Sequence, residues 1–244
     1  MILMAASAMA TQAQTDSAAI IVDRFVSILN MKMLPTDSMV VVTSIQVDRN
    51  NPKDTIIMRR WVAYPNKSRS EVWYGDNMLD GYVSDGMRQH LFFDTAMQLW
   101  RHTTHAQYLD NQAAYDVRGP FHNWRTQGVE LRYNGEKQFQ GHPVYAVEVE
   151  LPNTNNREYF FEKETGMLFL YRVLDQHTGD SVKEEYKTDW RAYHEYQEKG
   201  ACIFPKVESY QNQGHIYIIH HKVEFRPIDD RVFKQTEEQR KRWE

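Results

Sequence analysis

The spacing of apolar and polar positions predicts a chain built mostly from β-strands. Within residues 61–94, short apolar and aromatic runs are separated by the turn sequences Pro65-Asn66, Gly75-Asp76-Asn77 and Ser84-Asp85-Gly86. Proline, asparagine and glycine adopt the backbone angles that tight turns require, and Asp-Gly between apolar runs is typical of hairpins. This segment is therefore predicted to form a three-stranded antiparallel meander.

The same pattern continues on both sides of this meander. Upstream, strands are predicted at Met39 to Val47 and Thr55 to Tyr64, on either side of a polar turn. In the second half they are predicted at Gly128 to Tyr133, Gln138-Phe139, Val144 to Leu151, Tyr159 to Glu162, Met167 to Leu174, Val182 to Trp190, Ile203 to Tyr210 and Ile216 to Phe225, with Asn134-Gly135 as a hairpin turn. A sheet of about ten strands results.

One predicted strand indicates which face of the sheet is internal. Tyr145, Val147 and Val149 alternate with Glu148 and Glu150. Because successive strand residues point to opposite faces, the glutamates indicate a solvent face and Val147 is expected to point inwards. If the interior is an open cavity, Val147→Glu should still fold, with a modestly lower Tm.

Two segments show helical spacing. Asp16-Ser17 can cap a helix in which Ile21, Phe25, Ile28 and Leu29 share one face, and which ends before Pro35. A second helical pattern runs from Ala106 to Val117 and stops at Gly119-Pro120, after which Phe121 and Trp124 are expected to pack a short connector against the sheet. The fold class is therefore mainly β with a few helices.

Composition and the two ends of the chain narrow the class of protein. The 244 residues are 41% hydrophobic with a net charge of −4, which is ordinary for one globular domain and disfavours a nucleic-acid binder. A single cysteine, Cys202, excludes an internal disulfide and is read as a buried thiol. Residues 1–13 resemble the tail of a secretory signal, cleaved after Ala10 or Ala13, whose missing basic region suggests that the true start lies upstream. We expect one domain over residues 14–233 and a frayed, charged tail over 234–244.

The residues offer no recognisable catalytic, metal or cofactor motif. Of the 10 histidines, His220 and His221 are adjacent on a strand and so face opposite ways, while His102 and His105 lack a third ligand of clear spacing. No nucleophile elbow, phosphate loop or dinucleotide glycine pattern is present. We therefore expect a binding protein rather than an enzyme, with no metal and no cofactor.

Several motifs resemble the LolA family of outer-membrane lipoprotein carriers. The sequence "WVAYPN", a tryptophan-bearing strand, "VSDG" and "LFFD" follow one another as in that family, and "NGEKQFQGHPVYAVEVELP", "YFFEKETGMLFLYRV" and "VEFRPIDDRVF" continue the likeness over most of the chain. The resemblance implies an antiparallel sheet curled into an open half-barrel, with helices covering an apolar concave face that holds lipid acyl chains.

The resemblance also suggests candidate site residues. Those expected to contact acyl chains are Trp61, Trp73, Phe93, Tyr145, Val147 and Val149. The family carries a buried arginine that locks the lid helices. Arg59 and Arg60 are the candidates for this arginine, because they are neighbours on a strand and one of them must face the interior. The resemblance does not decide between them, and the alternative is a long side chain whose charged head reaches solvent.

The function implied is a monomeric periplasmic carrier. Its partners would be acylated lipoproteins or other lipids, inner-membrane release machinery and an outer-membrane acceptor. One alternative is an envelope sensor or regulatory domain of the same fold that binds lipid or peptide. Another is an envelope hydrolase or assembly scaffold.

Overall fold

The computed structural model describes residues 17–86, 90–103, 117–119, 121–126, 128–150, 156–174, 190–212 and 214–234. Thirteen strands lie within these ranges. They are β1 (Ser38–Asp48), β2 (Thr55–Ala63), β3 (Lys67–Tyr74), β4 (Asn77–Ser84), β5 (His90–Asp94), β6 (Leu99–His102), β7 (Glu130–Phe139), β8 (His142–Glu150), β9 (Arg157–Glu162), β10 (Leu168–Val173), β11 (Trp190–Lys199), β12 (Cys202–Asn212) and β13 (His215–Pro227).

All thirteen strands belong to one antiparallel sheet. Their order is β6-β5-β4-β3-β2-β1-β13-β12-β11-β10-β9-β8-β7, so the first and last strands of the chain pair at the middle. The outermost strands, β6 and β7, are not paired with each other, and the sheet stays open. The predicted open antiparallel sheet is confirmed, with more strands than the sequence indicated.

One helix, α1 (residues 17–29), covers one face of the sheet, which we call the inner face. Its buried stripe is Ala18, Val22, Phe25 and Leu29, at the 4-3-4 spacing of one helical face. The predicted helix is confirmed, although Ile21 and Ile28 are only partly buried and Val22 is at the centre of the stripe.

Two exposed side chains of α1 join it to the connector at residues 121–126 and to the turn after β9. Asp23 accepts two hydrogen bonds from Arg125, at 2.7 and 2.6 Å, and Arg24 donates to the carbonyls of Lys163 and Glu164. Gly166, at φ +76°, leaves room for Arg24, because a Cβ there would lie 2.6 Å from its Nε. The helix is thus held by the chain on both of its flanks.

The main core lies between α1 and the inner face. The Phe25 ring is 5.4 Å from that of Phe161 and 6.1 Å from that of Phe121, and Phe121 is 4.8 Å from Tyr159. Phe121 is buried and Trp124 packs against the same cluster, so the predicted connector contact is confirmed.

The outer face is less solvated than the sequence suggested. Glu150 is exposed, but Val144 and Ala146 on the same side of β8 are fully buried against Phe160 and Leu170. We expected the outer face of β8 to be exposed to solvent along its whole length. This is wrong for the half of the strand that holds Val144 and Ala146, because aromatic side chains of neighbouring strands cover these apolar positions.

Two local predictions are corrected. Asn134-Gly135 does not close a hairpin, since β7 runs through it and the pair forms a bulge between Tyr133 and Glu136, with Gly135 at φ +85°. Strand β11 was not predicted, because charged residues obscure its alternation.

The predicted signal segment, the second predicted helix up to residue 116, residues 182–189 and the tail from residue 235 lie outside the described residues. In the part of the chain that is described, no helix is long and apolar enough to cross a membrane.

Candidate ligand-binding cavity

A cavity of about 360 Å³ lies between α1 and the inner face of the sheet. The register of the strands places apolar residues along one part of its wall and polar residues along another. Val42 pairs with Val223, and two residues further along β1 Ser44 pairs with His221. Both pairs line the cavity, so its surface changes from apolar to polar along the strand direction.

The apolar end is the end beneath the helix. Phe25 and Leu29 of α1 face Leu168, Phe204 and Val223 of the sheet. These side chains are buried against one another except where they face the cavity. The surface they present is that of a site for aliphatic or aromatic groups.

The polar end is centred on Glu208 of β12, which is only 4% exposed. Its Oε1 lies 3.3 Å from His221 Nε2, and its Oε2 lies 3.4 Å from Arg191 Nη1. Burial alone would raise the pKa of Glu208, but His221, Arg191 and Arg60 together hold that pKa below its ordinary value. Glu208 is therefore a carboxylate at neutral pH.

Arg60, Arg157 and Arg191 line the cavity together with this carboxylate. Arg191 also lies over the Tyr210 ring, and the adjacent Glu208 helps to raise the pKa of its guanidinium despite burial. Arg157 donates to the Tyr159 hydroxyl at 3.4 Å and lies 5.2 Å from the centre of the Tyr171 ring. Arginine keeps its charge in proteins, so the polar end carries fixed positive charge.

Tyrosines form the boundary between the two ends. Tyr159, Tyr171, Tyr193 and Tyr196 all line the cavity, and the Tyr196 hydroxyl donates to the Leu168 carbonyl at 2.7 Å. Burial, reinforced by Glu208, raises the pKa values of Tyr193 and Tyr196, which therefore stay protonated. A tyrosine ring with its hydroxyl suits such a boundary, because one end is apolar and the other is polar.

Ser44, His221 and Glu208 form a chain with the residue types of a hydrolase triad. Ser44 Oγ lies 2.7 Å from His221 Nδ1. However, Ser44 is in the middle of β1, which pairs on both sides at this residue, so its backbone is committed to the sheet. An oxyanion hole is usually built from free backbone N–H groups near the nucleophile. The geometry favours a role in orienting His221 and Glu208.

Three predicted cavity residues lie elsewhere. Trp61 pairs with Val41 and packs beside Met39, Ala63 and Phe233, on the face opposite Val42. Trp73 and Phe93 belong to another cluster on that outer face. The expectation that these three line the cavity is not met, because alternation along β1 to β5 turns them outwards.

The three predicted residues of β8 are on the inner face but do not border the cavity. Val147 and Val149 are 0% and 1% exposed within the core under α1. Tyr145 lies near the start of the strand, beneath the Lys163 ammonium, 5.2 Å from its ring centre. The direction predicted for Val147 agrees with the structure, but its surroundings are packed side chains.

Arg60 is the interior member of the arginine pair. It lines the cavity, whereas Arg59 is exposed on the outer face, where it pairs in register with Thr43 and Glu71. Whether Arg60 locks a lid stays a prediction, since the proposed lid residues are outside the described part.

Arg157, Arg191 and Glu208 were missed as site residues. Arg191 is a charged residue among apolar and aromatic neighbours on its strand, namely Trp190, Ala192 and Tyr193. Such a charge in a half-buried strand was a usable signal, but only strand pairing shows that the three come together.

These features define a class of fold: an open antiparallel sheet with a helix across its inner face and a cavity between them. A DUF1329 family protein from Desulfovibrio piger is similar, with a TM-score of 0.57 and 13% identity over 89% of this chain and 97% of that chain. A LolA superfamily protein from Nitrosomonas europaea has a TM-score of 0.55 and 11% identity, over 89% of this chain and 97% of that chain. A domain described as an outer-membrane lipoprotein-sorting protein, from Vibrio parahaemolyticus, has a TM-score of 0.54 and 7% identity, over 87% of this chain and 97% of that chain.

No protein-family model and no curated protein matches the chain. At these identities the likeness concerns the fold alone. The chain has the LolA-like fold that its sequence motifs predicted.

Proposed function

We propose that the protein is a carrier that binds acyl chains in the cavity under α1. The observation that carries this proposal is a cavity of about 360 Å³, open to solvent on one side, whose helix-side wall is apolar. Burying a methylene group contributes about 0.8 kcal/mol, so even part of an acyl chain gains much from such a site. The similar structures from the LolA superfamily and from a lipoprotein-sorting domain support a lipid as cargo.

The setting we propose is the periplasm, with acylated lipoproteins or other lipids carried towards the outer membrane. This agrees with the signal-like residues 1–13. Sequencing of the mature N-terminus should find Thr11 or Gln14 in the periplasmic fraction. Recovery from the cytoplasm with Met1 intact would contradict this setting.

Acyl-chain binding is tested by displacement of a fluorescent lipid probe. A triacylated lipopeptide should displace the probe, and the same peptide without acyl chains should not. Equal competition by the two peptides would contradict acyl recognition and favour a peptide-binding sensor.

A cavity-filling variant locates the site. Val42→Phe places a larger side chain into the cavity and should weaken probe binding by about tenfold or more. Thr43→Phe is the matched control, because the next residue on the strand points to the outer face. Unchanged binding by Val42→Phe would place the site elsewhere.

A further inference from the structure

We propose that the cavity takes a single-chain amphiphile whose anionic head group, a carboxylate or a phosphate, lies against the arginines of the polar end. This rests on the acyl-chain binding proposed above and narrows the cargo. The proposal combines two features of the cavity, an apolar end beneath α1 and a positively charged end beyond it.

The first support is the balance of charge. Among the described residues that line the cavity, Glu208 is the one carboxylate, and it is shared between Arg191 and His221. Arg157 instead contacts the hydroxyl of Tyr159 and the ring of Tyr171. Among the described residues, Arg157 makes no ion pair, although a partly buried charge is normally compensated by one. An anionic ligand would supply it.

The second support is a pair of buried N–H groups without acceptors. The Nε atoms of Arg157 and Arg191 are both buried and have no hydrogen-bond partner among the described residues. The two side chains flank Tyr171, which pairs in register with Arg191 on one side and with Tyr159 on the other. Carboxylates and phosphates match the donor fork of arginine, so one anion between the two guanidinium groups could accept from both.

The third support is size. A cavity of about 360 Å³ is near the lower end of the ~300–1,000 Å³ range of small-ligand sites. That volume accommodates one aliphatic chain. The polar end opens directly onto the apolar end through Tyr193 and Tyr196, as a head group and its chain require.

The test compares three ligands with the same chain and different head groups. Hexadecanoic acid, hexadecyl phosphate and hexadecan-1-ol are titrated against an uncharged fluorescent probe bound to the full chain at pH 8, where the carboxylic acid is ionised. At least one of the two acids should bind about tenfold or more tightly than the alcohol, and their order distinguishes carboxylate from phosphate.

Variants test whether the arginines cause this preference. Arg191→Gln should bring the affinity for the acids down to that of the alcohol and leave the alcohol unchanged. Arg59→Gln, an equal change of charge on the outer face, should alter neither. Glu208→Gln removes the competing carboxylate and should tighten binding of the acids, a gain that a purely structural role would not produce. If Arg191→Gln does not fold, Arg157→Gln is measured in the same way.

Three outcomes separate this inference from the proposed function. Equal affinity of the unaltered protein for the acids and the alcohol overturns the anionic head group and leaves acyl-chain binding standing. Equal weakening of all ligands by Arg191→Gln likewise overturns it. Failure of all three ligands to displace the probe overturns the proposed function together with this inference.

Discussion

Two buried carboxylates on opposite faces of the sheet differ in how completely they are paired. On the outer face, Glu158 accepts from Lys137 at 2.5 Å, from Asn134 at 2.6 Å and from Arg172 at 2.8 Å. On the inner face, Glu208 has its two ionic neighbours at 3.3 and 3.4 Å.

Exposure of the cations does not explain this difference. The side chains of Lys137 and Arg172 beside Glu158 are 35% and 43% exposed, and that of Arg191 beside Glu208 is 34% exposed. The difference lies in hydrogen bonding: among the described residues, the buried Arg191 Nε and the buried Glu208 Oε2 have no hydrogen-bond partner. Hydrogen bonds that are closed within the protein indicate a structural site, whereas donors left open inside a cavity indicate a binding site.

The largest expected change in unfolding free energy comes from adding a third buried carboxylate, one without a positively charged partner. Val147→Glu places it in the packed core under α1, where Val147 is 0% exposed. An unpaired buried carboxylate should cost about 3–5 kcal/mol of unfolding free energy, enough to threaten a marginally stable domain. Urea unfolding followed by circular dichroism measures it.

The control for this variant is Val147→Thr, which keeps the shape and adds one hydroxyl, at a cost of about 1–3 kcal/mol. From the sequence alone a modest effect was expected for Val147→Glu, on the assumption that the residue borders an open cavity. A cooperative fold with only a slightly lower Tm would restore that earlier assumption.

A smaller loss is expected when the structural carboxylate is neutralised. Glu158→Gln should lower the unfolding free energy by about 1–3 kcal/mol at pH 7, because Lys137 and Arg172 lose their partner but can be solvated. Glu148→Gln is the matched control. It lies opposite Glu158 on β8 and has only a 3.9 Å ion pair with Arg132, so it should change stability by about 0.5 kcal/mol or less. An equal loss in both variants would contradict the comparison.

The pH dependence of the unfolding free energy lost in Glu158→Gln tests the pairing of Glu158 with Lys137 and Arg172 more specifically. Burial raises the pKa of Glu158, but hydrogen bonds from Lys137 and Arg172 outweigh it and hold the pKa below the ordinary value of 4.5. A lowered pKa in the folded state stabilises the protein above pH 4.5, and this contribution disappears as pH falls further. The stability gap between the unaltered protein and Glu158→Gln should therefore narrow below pH 4.5. A gap that widens on acidification would contradict the pairing.

The smallest effect is expected on the outer face. Trp73→Phe should leave lipid-probe binding unchanged, since Trp73 packs beside an outer cluster and its indole donates to Glu71 at 3.1 Å. Probe displacement measures it. Loss of binding would mean that lipid contacts the outer face, and the contrast between the two faces would no longer hold.

Much of the fold was predictable because it depends on local chemistry. The turn residues at Pro65-Asn66 and at Gly75-Asp76 lie between the ends of successive strands, as predicted. The spacing of Phe25 and Leu29 identified a helix with one apolar face, and the alternation in β8 gave the correct direction for Val147. These features depend on backbone angles and side-chain period, which a short stretch of sequence determines.

The cavity depended on contacts that no short stretch contains. Trp61 and Trp73 are residues of a type that lines lipid sites, yet the register of β2 and β3 places them on the outer face. Arg157, Arg191 and Glu208 come from three strands, and sequence alone showed them as isolated charges. Their meeting is decided by the pairing of β9 to β12, which sets residues far apart in the chain side by side.

The sequence by itself thus determined a mostly β chain with an amphipathic helix near its start, because turn chemistry and hydrophobic period act within a few residues. Only the tertiary structure decided which face is covered, where packing leaves a space and which charges border it. The physical reason is that a strand shows two faces with similar apolar content, and only its neighbours and the helix determine which face is enclosed.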